Sequence, residues 1–400
     1  VAARSCVPAV WRRRRPRFVA CHGGVTRKLG IGRLRRTAER RREHGDTRRG
    51  GREKAPARSR AEWIGLAVVS LPGLAALAAL LFTWIQVDQA NKELRISEQG
   101  QITNRFNAAV TNLGSDSLDV RLGGIYALER IMQDSVRDRA TVVSVLTAYV
   151  RRHAPFPAKG GDERRSGSTG GQPPTDIEAV MHVLAARPLG AGDVPVLDLA
   201  RTDLSGLTAG QGRSEFADAI FQEADLSRAE LAHANLSGAV FQGAVLRRAD
   251  LDHASLANAG MGKAILSGAL MTAANLTSAY LDAARMDDAK LSGATLSSAV
   301  MKGAVLRGAD LSGALMTSAG LQEADLTGAE LRATEMTFAN LADADLAGAD
   351  LADAVLIGAD LTRADLSGAD LTGANLTGAT LVDARLTGAK LKGVRGMPPS

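Results

Sequence analysis

Residues 364–378 read ADLSGADLTGANLTG, three copies of a five-residue unit that governs the second half of the chain. Every fifth residue from Phe216 to Leu391 is Leu, Phe or Met: 36 consecutive positions, 27 of them Leu, three Phe and six Met. Two residues ahead of these, from 219 to 389, 34 of 35 positions are Ala, and the exception is Thr334. A period of five matches neither the 3.6 of a helix nor the 2 of a strand, so the chain must turn once per repeat. Ala and Leu, two apart, point to one side of a short extended segment, while the residue between them and the two after Leu point out. Repetition winds a polygonal tube with Ala and Leu alternating inside, its successive coils paired by backbone hydrogen bonds about 4.8 Å apart.

The units ADLSR, ANLSG, ADLTG, ADLSG and ANLTG fit the pattern A(D/N)LXX, and the region resembles the pentapeptide-repeat family. The resemblance implies a mainly β fold, a right-handed quadrilateral β-helix with four repeats and twenty residues per coil. Thirty-six repeats then make about nine coils, roughly 43 Å at strand spacing. An out-of-register piece around Leu199, Leu204 and Leu207 is expected to form an opening coil, so that the solenoid occupies 196–395.

Composition agrees with such a tube. Hydrophobic residues make up 45% of the chain but aromatics only 4%, with 42 Gly, which argues against a sandwich or barrel built on β-branched and aromatic residues. Phe216, Phe221 and Phe241 fall in the first coils, where they are expected to plug the end. The two cysteines, Cys6 and Cys21, exclude a disulfide framework and a multi-cysteine metal site.

The formal charge of +6 describes no part of the molecule. Residues 1–62 carry 20 Lys/Arg against 5 Asp/Glu, residues 63–195 carry 13 of each, and residues 196–400 carry 16 against 25. The first stretch is Arg-rich and without apolar periodicity, which predicts disorder. It reads either as a contact for anionic lipid or nucleic acid, or as a solvated tail or over-extended start, since the chain opens on Val1. Trp63 to Val87 is a run of 25 residues without a charge, enough to cross a hydrocarbon core of about 30 Å as a transmembrane helix through the lipid bilayer. Trp63 and Trp84 sit near its ends as interfacial aromatics would, Pro72 is tolerable there, and the long tail before it makes a signal peptide a poor alternative. Six Lys/Arg in the N-terminal flank against three in the C-terminal one favour a cytoplasmic N-terminus in a single-pass cell-membrane protein. The side on which the solenoid lies is left open.

Between anchor and tube, 88–153 carries helical spacing in three stretches, Leu94–Val110, 117–132 and 138–153. Gly123 and Gly124 inside the second are expected to allow close helix packing. Asp119, Arg121, Glu129 and Arg130 read as surface ion pairs. Residues 154–175 form a Pro/Gly/Ser-rich linker, and a short apolar-faced helix in 176–195 is placed to cap the open end of the solenoid. The family context also resembles membrane-anchored pentapeptide-repeat proteins of actinobacteria.

With twenty residues per coil, Asp310, Glu330, Asp350 and Asp370 form one outward column, and Asp325, Asp345 and Asp365 a second on the next face. Adjacent carboxylates about 4.8 Å apart repel by roughly 0.9 kcal/mol even in water, so stability does not ask for such columns. Family members that mimic DNA and bind type II topoisomerases present acidic rods, so one expectation is a DNA mimic. Against it stand Arg285, Lys290, Arg332, Arg385 and Lys390, which interrupt or end the faces, and the other reading is a solvated acidic face set by the repeat. His233 and His253, also twenty apart, lack a carboxylate at their level and are taken as surface residues. A filled tube leaves no pocket, and no phosphate loop, nucleophile elbow or metal signature is present, so no catalytic residue, cofactor or metal is expected. The sequence therefore points to a non-enzymatic membrane-anchored scaffold for a protein partner, with no direct nucleic-acid binding by the repeats.

Overall fold

The computed structural model describes residues 60–156, 172–188, 195–208 and 214–397. The Arg-rich tail and most of the linker lie outside these residues. The chain divides into two units between Thr83 and Trp84, within the first helix.

Helix α1 spans Arg60–Leu113 without a break, so the apolar run and the stretch from Leu94 onward are one element rather than two. No proline follows Val87 within α1, good helix formers such as Gln89, Ala90, Lys92, Glu93, Leu94 and Arg95 come directly after it, and Lys92 pairs with Asp88 one turn back at 2.6 Å, so the change in polarity brings no change in conformation. Over Pro72–Leu113 this helix is long and apolar enough to cross a membrane, and its most apolar window, of mean hydropathy 1.3, is wholly unburied.

Helices α2 (Leu118–Asp134), α3 (Arg139–His153) and α4 (Thr175–Ala185) pack on one another around Ile125, Leu128, Ile131, Val142, Leu146, Ile177 and Leu184. The two glycines of α2 part company. A Cβ on Gly124 would meet the Ala109 carbonyl oxygen at 2.8 Å, so α2 lies close against the end of α1, whereas Gly123 faces open space.

From Leu197 onward the core continues as a coil. Parallel bridges join residues twenty apart from Glu215↔Asn235 to Asn375↔Arg395, one bridge every five residues, so each coil has four sides. No side runs longer than its single bridge residue among the described residues. Inside, Ala and Leu alternate at essentially zero exposure from Phe216 to Leu376. Each corner is closed by the N–H of the next Ala reaching the Leu carbonyl three residues back, as in Ala229 to Leu226 at 3.0 Å. The residue before that Ala, or before Thr202 and Thr334, has positive φ throughout the described repeats, the requirement of a type II turn, and 22 such residues among those described are not glycine. Thr334, which replaces an Ala, is fully buried and donates its hydroxyl to the Leu331 carbonyl. The three phenylalanines meet in the first coils, Phe221 and Phe241 face to face at 5.1 Å and Phe216 edge-on to Phe221 at 5.9 Å.

The helices close onto the start of the coil. Glu215 N–H bonds the Ala185 carbonyl at 3.1 Å and Arg151 pairs with Asp198 at 2.6 Å. Ala154, Pro155 and Phe156, assigned to the linker by composition, are held to the opening coil by an antiparallel bridge from Pro155 to Thr202 and by Phe156 N–H to the Arg201 carbonyl at 2.7 Å.

Candidate functional site

The two acidic columns stand where the period places them. Asp310, Glu330, Asp350 and Asp370 are successive bridge partners, with Lys290 before and Lys390 after them; Asp325, Asp345 and Asp365 are partners on the next face, ending at Arg385. The backbone of each is used by the coils on either side: Asp350 N–H bonds the Ala329 carbonyl at 2.9 Å, and its carbonyl accepts from Leu331 at 2.7 Å. The side chains are therefore aimed outward, one per coil.

The carboxylates have local work that the sequence reading did not grant them. In Asp310, Asp345, Asp350 and Asp370, Oδ1 accepts the N–H two residues on at 3.0 to 3.1 Å, an Asx turn that starts the corner. Aspartate thus has a local stabilising role at these positions, which the repulsion between stacked carboxylates does not express. Glu330, one methylene longer, makes no such turn among the described contacts. The second oxygen reaches a neighbouring coil: Asp325 to Arg307 at 2.6 Å, Asp350 to Arg332 at 2.9 Å, Asp365 to Arg385 at 3.1 Å and Asp370 to Lys390 at 3.0 Å. Asp310 accepts from the Ser292 hydroxyl at 2.8 Å.

These contacts favour the ionised form of Asp310, Asp325, Asp365 and Asp370. Hydrogen bonds from the Thr372 hydroxyl, the Lys390 ammonium and the Thr372 N–H pull the Asp370 carboxyl down to about 2. Bonding from Ser367 lowers Asp365. Partial burial pushes Asp310 and Asp325 upward, but the hydroxyl and N–H donors around them outweigh it and leave both below the ordinary carboxylate value. Four of the seven acidic side chains have a cation in contact, which offsets part of the negative charge of these two faces.

A second polar cluster lies among the helices. Asp176, at the start of α4 and only 4% exposed, accepts Arg121 Nε of α2 at 2.8 Å and the Tyr149 hydroxyl of α3 at 2.6 Å on the same oxygen. Arg121 also donates to the carbonyls of Ser115 and Asp116. It is thus no surface partner of Asp119 or Glu129, as its local spacing suggested. No periodicity signals a pair 55 residues apart; the only clue was an Asp immediately ahead of an apolar helix. Burial and the bond to Asp176 push the Tyr149 phenol up to about 12, so it stays protonated. Burial acts to raise Asp176, and bonds from Tyr149 and Arg121 overcome it to lower it. A groove of about 560 Å³ beside the cluster is lined by Val110, Leu113, Arg121, Val145, Tyr149 and His153. The arrangement ties three helices together.

His233 and His253 stack with centroids 5.0 Å apart. Among the described residues no three His, Cys, Asp or Glu side chains gather as a metal site would require.

Comparison with known proteins places these features. The profile of the pentapeptide repeats matches in eight copies, among them 219–258, 254–293, 294–333, 334–373 and 354–393. Similar solved structures include HetL, a pentapeptide-repeat protein involved in heterocyst differentiation regulation in the cyanobacterium Nostoc sp. strain PCC 7120. It is 33% identical over 49% of this chain and 88% of that one, with TM-score 0.38. Rfr23 of the cyanobacterium Cyanothece 51142 is 40% identical over 22% of this chain and 58% of its own, with TM-score 0.21. A trypsin-treated form of QnrB1, a plasmid-mediated fluoroquinolone resistance protein, is 18% identical over 44% and 88%, with TM-score 0.32. No curated protein matches the chain significantly.

Proposed function

The chain belongs to the pentapeptide-repeat family, whose fold is a right-handed β-helix, and from that premise we propose that it is a non-enzymatic, membrane-anchored scaffold for a protein partner. The observation that carries the reading is the pairing of two features. One is a helix whose large apolar side chains, Leu74, Leu77, Leu80, Leu81, Phe82 and Trp84, are all more than 60% exposed, which suits a lipid surround. The other is a coil whose interior is filled by its own Ala and Leu, leaving the outer faces as the surfaces on which chemistry is displayed. The anchor is the apolar run of 63–87, and the Arg-rich tail adds attraction to anionic lipid.

The partner-binding face in this reading is the acidic one. Recovery of a partner from membranes is expected to fall when Asp345, Asp350, Asp365 and Asp370 are changed together to Lys; unaltered recovery removes the acidic face from the account. A second reading is favoured by the in-register stacking of Asp and Glu: a DNA mimic that binds a type II topoisomerase. It predicts that the protein inhibits gyrase supercoiling at micromolar concentration, and no inhibition sinks it. Protease accessibility of the repeats in intact cells decides which partners share their compartment.

A further inference from the structure

Charge is absent from one edge of the coil. Between 234 and 321 the half-coils 234–241, 254–261, 274–281, 294–301 and 314–321 contain no Asp, Glu, Lys, Arg or His. The complementary half-coils 242–253, 262–273, 282–293 and 302–313 hold all 13 Asp, Glu, Lys and Arg residues of the stretch. Bridges stack the uncharged residues into one face, Val240, Gly260, Tyr280, Val300 and Gly320. The corner beside it is occupied by Ser278, Ser298, Ser318 and Phe338, all at positive φ. Over the next three coils only Glu335 and Asp360 break the pattern on this edge, which makes eight coils, or about 38 Å, in all.

The same edge gathers the exposed apolar side chains. Tyr280 is 55% exposed, Val300 36%, Leu315 47% and Phe338 64%, and between Phe216 and Leu376 the remaining large exposed apolar residue is Leu270. Depletion of charge around exposed aromatic and aliphatic groups is the composition of an interface core rather than of ordinary surface.

We propose that this edge is a lateral docking surface for a second copy of the chain, the two coils lying side by side about a twofold axis. Charge selects that occupant. Under twofold symmetry each face meets itself, and the acidic columns would set like charges against each other. Ser, Thr and Asn side chains carry donors and acceptors together and can pair with their own copies, as carboxylates cannot. The uncharged edge is the self-complementary surface of the coil, and pairing there leaves both acidic faces outward and free.

Two measurements on the full chain in detergent test this. Sedimentation equilibrium is expected to show a dimer that Tyr280→Lys with Val300→Lys weakens at least about tenfold, because like charges then face each other. Lys already occupies the equivalent bridge position at 290 and 390, so the coil accommodates it. In a background with Cys6 and Cys21 changed to Ser, a short thiol cross-linker is expected to join copies carrying Ser298→Cys. It is expected to leave Asp288→Cys, at the opposite corner of the four-sided coil, uncoupled. A monomer at tens of micromolar overturns the proposal. So does a dimer indifferent to the lysines, or one cross-linked through Asp288→Cys and not Ser298→Cys, as when association runs through α1 or the acidic faces.

Discussion

The three packed helices and the coil bury their cores by opposite means. Among the helices, one buried carboxylate is shared by α2, α3 and α4, and among the described residues no second side chain bonds all three. In the coil, the same few contacts recur at every repeat: Leu and Ala inside, a backbone bond to the next coil, a hydrogen-bonded corner. The difference teaches where damage spreads. Loss of the node loosens a whole helical packet, while loss in the coil is confined to the coils that touch it, as expected of a nearest-neighbour solenoid.

The largest effect should come from the coil interior. Leu306→Ala removes a fully buried side chain whose neighbours are themselves fixed by the period, with an expected loss of about 3 kcal/mol. Hydrogen exchange should localise the lost protection to the coils around residue 306; loss of protection throughout α2–α4 as well breaks the comparison. Asp176→Ala strands Arg121 and Tyr149 and should destabilise by about 2 to 3 kcal/mol. Its loss of protection should extend over all three helices and leave the coil beyond residue 256 unchanged.

Alkaline pH probes the same node. Tyr149 ionises at about 12 in the folded chain against 10 when free, so its contribution is complete below pH 10 and is lost as pH rises from 10 through about 12. Absorbance titration should show a phenol ionising at about 12 that Tyr149→Phe removes, and the same substitution should abolish this phase of helix unfolding. At the acid end, Asp176 and Asp370 are both lowered. Their contributions are present above about 3.8 and fall away below it, in the case of Asp370 down to about 2.

The smallest pair of effects has opposite signs. Gly124→Ala drives a methyl into the Ala109 carbonyl and should cost about 1 to 2 kcal/mol, while Gly123→Ala, in open space, should gain about 0.5 to 1 kcal/mol. Thermal melts of the two variants on either side of the parent check this directly.

The coil was legible because its information is local and repeated: one Leu and one Ala per five residues suffice to state the period, the interior and the column register. The corners were less so. Positive φ is carried by residues as unlike as Lys263, Phe338 and Arg363, since the turn is held by backbone bonds and the corner side chain points away. The acidic columns were placed correctly by the twenty-residue spacing and misjudged energetically, because an Asx turn depends on an oxygen two residues from its donor and not on what stacks above it. The helices hid most. The boundary at Val87 was a change of polarity that the backbone of α1 ignores, and the Arg121–Asp176 bond joins residues 55 apart that share no pattern.

The bridge spacing of twenty also limits how such a coil can grow. Duplication of one five-residue unit keeps every Leu inside, yet turns all later faces by a quarter, carrying the column of Asp310, Glu330, Asp350 and Asp370 onto the side now free of charge. Duplication of four units lengthens each face without mixing them. Gain of a single residue puts every downstream Leu at a corner, and loss of one puts it on the outward bridge position. A face can therefore be lengthened without being mixed with its neighbours only in steps of a whole coil.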